Sequence, residues 1–178
     1  MINNIIPTPK ETTLFEGVSR LPLTYACTEP AWADYAATLA AAFEKLFGKP
    51  LLPGEGGICL SRDEALLAGA YRLDTRKGIT LSAADDEGIL YAIASFLLSA
   101  EVEGGQICIQ KALVHDYPDS TWRALMLDLA RRWHPLSAVL AYVDLCFILK
   151  IKYLHLHFCD DQRYTLPSAA FPRLAKEG

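Results

Sequence analysis

The sequence predicts an α/β protein, in which a first region with a mostly antiparallel sheet and helices on one face precedes a parallel strand–helix–strand unit. Residues 1–114 alternate short apolar runs with turn residues and include two stretches with helical spacing. Residues 122–130 then form a nearly continuous apolar run, which is typical of a strand buried on both faces. The change in pattern between them indicates two regions.

Composition and charge narrow the possible functions. The chain has 178 residues, of which 52% are hydrophobic and 21% charged, with a formal net charge of -4. This is a globular composition, and its acidic balance argues against nucleic-acid binding. No apolar run has the length of about 18 residues that a membrane span needs, and we see no export signal at the N-terminus, so we expect a cytoplasmic protein.

The cysteines predict neither a disulfide framework nor a zinc site. No two of them have a Cys-x-x-Cys spacing, and each stands in an apolar stretch, where cysteine behaves as a small buried hydrophobe. We therefore expect reduced thiols and no metal or cofactor. The five residues are Cys27, Cys59, Cys108, Cys146 and Cys159.

The first region divides into elements at its turn residues. Residues 5–28 predict two short strands, and the apolar spacing after Pro30 predicts a helix that ends at Gly48. Acidic residues from Asp85 onward suit the start of a second helix. The remaining predicted elements are strands at 57–60, 70–74, 78–83 and 106–114.

The second region predicts a βαβ unit. Pro135 begins a helix between the apolar run at 122–130 and a second strand at 151–159, and a crossover of this kind is right-handed. Residues 122–178 exceed the about 30 residues that such a unit needs, but they are far fewer than the about 250 of a closed (β/α)8 barrel. The region is therefore either the beginning of a larger parallel domain or a small appendage.

Polar residues follow the second strand, at the end where ligands of parallel sheets bind. His155 and His157 share a strand face and are either metal ligands or packed, hydrogen-bonded histidines, without a third ligand at a recognisable spacing. Asp160 and Asp161 suggest an acid/base pair or a solvated turn. Because adjacent strand residues point to opposite faces, these two are not expected to flank one bond. A nucleophilic site at Cys159 is a weaker alternative.

Two charges interrupt the first apolar strand. A buried guanidinium such as that of Arg123 is costly unless it is paired. Asp128 is five residues further on, about 16 Å along a strand, so the two cannot pair directly. Each needs its own partner, which is either another strand's residue or a ligand.

The motifs resemble those of family 20 glycoside hydrolases, the β-N-acetylhexosaminidases. The run WRALMLDLAR at 122–131 is similar to that family's [FW]RGLMLDxAR strand, and LHLHFCDDQ at 154–162 is similar to its LHLHLTDDQ segment. The resemblance implies an N-terminal α+β accessory domain at 1–118 and the first part of a (β/α)8 catalytic barrel at 119–178. Two departures are Ala124 in place of glycine and Arg163-Tyr164-Thr165 in place of Gly-Trp-Arg.

The family's chemistry follows from the same resemblance. Such enzymes remove terminal N-acetylhexosamine from glycans with retention, using the substrate's own acetamido oxygen as nucleophile, with an Asp–Glu pair after the fourth barrel strand. No Gly-Gly-Asp-Glu motif occurs in this sequence. We therefore expect an N-terminal portion of such an enzyme that is inactive alone, with a role in carbohydrate metabolism.

The resemblance also assigns residues and partners. Arg123 would bind sugar hydroxyls, Asp160 would orient a later histidine, and Asp161 and His157 would line the substrate site. The partners would be glycans ending in N-acetylglucosamine or N-acetylgalactosamine, with self-association through the incomplete barrel. A non-catalytic glycan- or protein-interaction module, with exposed aromatics on a sheet face, is the alternative. A small metal enzyme at His155 and His157 is a further one.

Overall fold

The computed structural model describes residues 2–174. The chain divides into two compact units, Met1–Asp119 and Ser120–Gly178. The division lies one residue after the boundary expected from the sequence, and each unit is described below by itself. Among the described residues, no helix combines the length and the apolar character that crossing a membrane requires.

The first unit is built on an eight-stranded sheet. Its strands are β1 (Glu11–Arg20), β2 (Thr24–Cys27), β3 (Leu52–Pro53), β4 (Ile58–Arg62), β5 (Tyr71–Asp74), β6 (Ile79–Ala83), β7 (Glu101–Glu103) and β8 (Gln106–Asp116). Its two α-helices are α1 (Ala33–Phe47) and α2 (Asp86–Ser99). The sequence predicted both helices and six of these strands.

The sheet is mixed, in the order β1-β8-β5-β6-β4-β2-β3, with β7 also paired to β8. Four of its seven strand pairs are antiparallel, and the three parallel pairs are β2 with β3, β2 with β4, and β4 with β6. The prediction of a mostly antiparallel sheet is therefore confirmed. β3 and β7 were missed because two or three residues are too few to show an alternation of apolar and polar side chains.

The core of the first unit lies between the sheet and its helices. Alternate side chains of β5 and β6, such as Leu73 and Leu81, are buried, and α2 packs on these two strands while α1 packs on α2 and β2. The approach is close at Gly88, where an added Cβ would lie 2.4 Å from the carbonyl oxygen of Ala70. The Asp85 carboxylate caps α2 by accepting from the Gly88 amide at 2.8 Å.

A buried polar network joins the sheet to α2. The Tyr71 hydroxyl lies 2.6 Å from the Ser95 hydroxyl and donates to the Asp116 carboxylate at 2.9 Å. Burial and the neighbouring Asp116 charge raise the pKa of Tyr71. The network satisfies polar atoms that would otherwise be costly inside the core.

The other face of the central strands is polar. Ser61 and Ser82 share a hydrogen bond of 3.0 Å, and Arg72 pairs with Asp63 at 2.8 Å. Within β4, β5 and β6 the one aromatic residue is Tyr71, which is buried. The exposed aromatic platform expected of an interaction module is therefore not present on these three strands.

The second unit contains β9 (Ala124–Asp128), α3 (Leu136–Ile148) and β10 (Tyr153–His157). The strands pair in parallel, with Ala124 opposite Tyr153 and Asp128 opposite His157. The predicted βαβ unit is confirmed, although both strands are shorter than expected.

All five cysteines are free. Cys108 and Cys146 are buried, and Cys27 and Cys59 are half-buried. Cys159 is exposed, so the expectation that it is a buried hydrophobe is wrong. The reason is that β10 ends at His157, which leaves Cys159 in the following loop.

Candidate functional site

Four charged or ionisable side chains meet at the carboxyl ends of β9 and β10. They are Asp128, Arg131, His157 and Asp160, which we call the strand-end cluster. Asp128 and His157 are the last residues of the two strands and are direct partners in their register. Arg131 and Asp160 stand three residues beyond these ends, so the two strands bring all four together.

Asp128 shapes the turn that follows β9. One of its carboxylate oxygens, Oδ1, accepts from the amide of Ala130 at 3.0 Å and from the amide of Arg131 at 2.9 Å. The carbonyl of His157 accepts from the amides of Leu129 and Ala130 at 2.9 and 3.1 Å. The turn is thus fixed to both strands of the unit.

Asp160 is the most strongly held carboxylate of the cluster. Oδ1 accepts from the amides of Gln162 and Arg163 at 2.8 and 3.1 Å, and Oδ2 accepts from Nε of Arg131 at 2.8 Å. The Arg131 guanidinium and these amides lower the pKa of Asp160 from 3.8 to about 2. The group is therefore an ionised acceptor at neutral pH.

His157 completes the cluster beside Asp160. Its Nε2 lies 3.7 Å from Oδ2 of Asp160. The potential ligand atoms of Asp128, His157 and Asp160 all lie within 4.8 Å of one another. Both carboxylates already accept from backbone amides, and Arg131 places a positive charge in the same cluster. The adjacent guanidinium disfavours a cation at this point and gives the cluster hydrogen-bond donors as well as acceptors.

The other histidine of the predicted pair is separate. The ring centroids of His155 and His157 are 6.2 Å apart, and His155 is exposed. His155 does not belong to the group of potential metal ligands found among residues 2–174. The structure thus does not unite the two histidines in the metal site that the alternative hypothesis required.

Arg123, for which the family resemblance implies a sugar contact, lies outside the strand-end cluster. It precedes β9 instead of standing inside it, and it donates through Nε to the carbonyl of Lys150 at 3.1 Å and through Nη1 to that of Ser120. The strands are parallel, so the five residues of β9 separate Arg123 from the carboxyl end by about 16 Å. Arg123 thus lies about one strand length from Asp160, and the sugar contact that the family resemblance implies for Arg123 stays a prediction.

Asp160 and Asp161 have different environments, as expected, but they do not alternate along a strand. Both follow the end of β10 and lie in a loop that closes through a bridge between Cys159 and Tyr164. The Asp160 side chain is only 11% exposed and faces Arg131, whereas Asp161 is exposed. Asp161 is thus at the rim, and Asp160 belongs to the cluster.

Arg131 is the functional candidate that sequence reasoning missed. The signal was present, because Arg131 ends the motif at 122–131 and follows the carboxyl end of the predicted strand. The motif's other arginine, Arg123, has the more conspicuous charge because it stands within an apolar run. In the structure, the guanidinium at the carboxyl ends of the strands is that of Arg131.

The fold and the cluster define a class: a two-unit α/β protein with a charged site at the carboxyl ends of parallel strands. Comparison of sequences then identifies its family. Residues 3–117 match the model for glycosyl hydrolase family 20, domain 2, and residues 120–178 match the model for the catalytic domain of the same family. The chain belongs to glycosyl hydrolase family 20.

Individual relatives agree with this assignment. The chain is 27% identical over 177 residues to a beta-hexosaminidase of Vibrio vulnificus, a match that covers 98% of the chain and 21% of that protein. It is 35% identical over 107 residues to a beta-hexosaminidase of Akkermansia muciniphila, covering 59% of the chain and 22% of the relative. The chain thus spans about a fifth of the length of these relatives.

Solved structures show the same fold. A GH20 exo beta-N-acetylglucosaminidase from Vibrio harveyi, in complex with N-acetylglucosamine, has a TM-score of 0.92 at 20% identity, covering 99% of the chain and 28% of that protein. The GH20 beta-N-acetylhexosaminidase from Streptomyces coelicolor A3(2) has a TM-score of 0.87 at 25% identity, covering 99% and 39%. The expected architecture of the family is therefore confirmed over the described residues.

Proposed function

We propose that this chain is part of a retaining β-N-acetylhexosaminidase that hydrolyses terminal N-acetylhexosamine from glycans. Its relatives in the family include beta-hexosaminidases, and its strand-end cluster has the chemistry of a sugar site. The observation that carries the proposal is the pairing of Arg131 with Asp160 at the carboxyl ends of two parallel strands. Ligands of parallel α/β folds bind at this end.

The paired residues have complementary tasks in this proposal. The Arg131 side chain is 58% exposed, so its remaining N–H groups can donate to sugar hydroxyls while Nε stays with Asp160. The ionised Asp160 accepts from a hydroxyl or from a neighbouring imidazole. Together they hold the terminal sugar at the carboxyl ends of the strands, and this contact contributes to the affinity for the substrate.

The bond-breaking groups of the proposed reaction are not among these residues. By family resemblance, the acetamido oxygen of the substrate attacks the anomeric carbon, an Asp orients it, and a Glu protonates the leaving oxygen. This sequence has no Gly-Gly-Asp-Glu motif. We therefore infer that the 178 residues contribute substrate contacts and do not hydrolyse glycosides alone.

The test is nitrophenol release from 4-nitrophenyl N-acetyl-β-D-glucosaminide and its galacto isomer. It compares the purified 178-residue chain with the product of the longest reading frame that contains it. We expect turnover by the reading-frame product and none by the 178 residues. Turnover by the short chain would refute the division of roles, and absence of turnover by both proteins would refute the proposed activity.

We also propose that the isolated chain self-associates through residues 122–178. Large apolar side chains are exposed throughout this unit, including Trp122, Trp133, Leu136 and Phe171, which are 58–71% exposed. Apolar surface of this kind marks an interface or an aggregation-prone face. A single monomeric species in light scattering at 1 and 100 μM protein would contradict this proposal.

A cytoplasmic location is a further proposal. It is supported by the five free cysteines, since secreted proteins more often pair theirs. Fractionation of cells that express the tagged gene should place the protein with cytoplasmic markers. Recovery with exported proteins would refute it.

A further inference from the structure

We propose that Asp128 is a positioning residue, whose carboxylate fixes the turn that directs Arg131 toward Asp160. The inference rests on the proposed function, because it concerns the same site. It assigns a task to a charge that the sequence left without a partner. The task is performed through the backbone, and Asp128 itself does not need to touch the sugar.

The backbone contacts carry the first step. Oδ1 of Asp128 accepts from the amides two and three residues further on, at 3.0 and 2.9 Å, as an Asp side chain does when it stabilises a turn. One of these amides belongs to Arg131 itself. The bond therefore fixes the position from which the guanidinium projects.

The exposure of the side chains carries the second step. Leu129 and Ala130 are 3% and 1% exposed, so packing holds the first half of the turn. The Arg131 side chain is 58% exposed and has little packing to restrain it. Its direction depends on its backbone and on its bond to Asp160. A flexible turn would let the guanidinium leave the cluster. The conformational entropy lost when the sugar orders it again would weaken sugar binding.

The geometry separates two possible roles for Asp128. A single oxygen accepts both amides, and an asparagine carbonyl can do the same without a negative charge. If Asp128 acts by fixing the turn, Arg131 stays in position in Asp128→Asn and loses its position in Asp128→Ala. If Asp128 acts as a charge that attracts Arg131 or a proton, both variants lose this attraction.

The test uses the product of the longest reading frame and measures kcat and KM on 4-nitrophenyl N-acetyl-β-D-glucosaminide. We expect Asp128→Asn to stay within about threefold of wild type. We expect Asp128→Ala to raise KM about tenfold with little change in kcat, because the sugar contact is disordered and the chemistry is intact. In an Arg131→Ala background, Asp128→Ala should change KM less than twofold, since the residue it positions is gone.

A second readout does not need activity. Amide hydrogen exchange in the 178-residue chain should show at least tenfold faster exchange at Arg131 in Asp128→Ala, and unchanged rates in Asp128→Asn. The change at Ala130 should be smaller, because its amide also donates to the carbonyl of His157. If Asp128→Ala does not fold, Asp128→Ser, which keeps a shorter acceptor, replaces it and should have intermediate rates.

Equal damage from Asn and Ala in either readout would overturn the inference. So would an effect of Asp128→Ala on KM that persists without Arg131. Inactivity of the wild-type reading-frame product would instead refute the proposed function, and the exchange rates would still decide the role of Asp128.

Discussion

Two arginines of the second unit, Arg123 and Arg131, allow a crossed prediction. Arg123 and Arg131 are separated by one strand and lie at its opposite ends, and only Arg131 belongs to the strand-end cluster. We expect Arg131→Ala to impair substrate binding with little loss of stability. We expect Arg123→Ala to lower the stability of the fold with little effect on substrate binding.

The magnitudes follow from the contacts. Arg131 is mostly exposed, and without it Asp160 keeps the amides of Gln162 and Arg163, so folding should change little. Loss of a charged hydrogen bond to the sugar should lower kcat/KM about 10- to 100-fold. Arg123 is half-buried and donates to two carbonyls, and its removal should cost about 1.5–3 kcal/mol of unfolding free energy.

The assay combines kinetics with urea unfolding of the reading-frame product. Arg131→Lys is the control for charge without the fork of donors, and it should recover only part of the activity. A loss of kcat/KM in Arg123→Ala larger than in Arg131→Ala, measured where both remain folded, would refute the placement of the site.

Three further outcomes are expected. Tyr71→Phe should lower the free energy of unfolding in urea by about 2–4 kcal/mol, because it removes the hydroxyl that Ser95 and Asp116 share. The control Tyr25→Phe should change this free energy very little. Equal effects of the two substitutions would contradict the role of the buried polar network. The pKa of Asp160 is lower in the folded state, so its contribution to stability is complete above about pH 5 and is lost as the pH falls through the folded pKa of about 2. Asp160→Asn should lack this part of the acid transition. Light scattering should show association of the isolated chain, and Leu136→Glu should reduce it.

Much of the fold was predictable because its signals are local. The helix stop at Gly48, whose φ is +65°, and the acidic start at Asp85 mark boundaries by backbone preference and capping. The apolar run at 122–130 correctly predicted a parallel strand. Strand pairs such as β2 with β4 join residues far apart in sequence, and no periodicity reveals them.

The extent of the second unit's strands was less predictable. Apolar residues continue from Trp122 to Ala130, but the ladder includes only Ala124–Asp128. Trp122 instead stacks on Tyr153 with ring centroids 4.5 Å apart, and Leu129 and Ala130 are buried in a turn. An apolar side chain indicates burial, and burial alone does not distinguish a strand from the turn that follows it.

The difference between the predicted and the observed strand lengths affects the interpretation of the site. Placing Arg123 inside the strand hid its position at the amino end, and a long second strand suggested that Asp160 and Asp161 alternate. Asp160, the acid that the sequence analysis singled out, lies in the cluster, and its orienting role stays a prediction. The pairing of Arg131 with Asp160 was not predictable, because it joins residues 29 positions apart that the parallel register brings together.

A crystal structure of the reading-frame product with bound N-acetylglucosamine would test the central claim most directly. We predict that hydroxyl groups of the sugar lie within about 3.2 Å of the Arg131 guanidinium and the Asp160 carboxylate, with Arg123 still bound to its carbonyls at the far end of β9. A sugar that occupies another part of the protein and leaves the Arg131–Asp160 pair in water would contradict it.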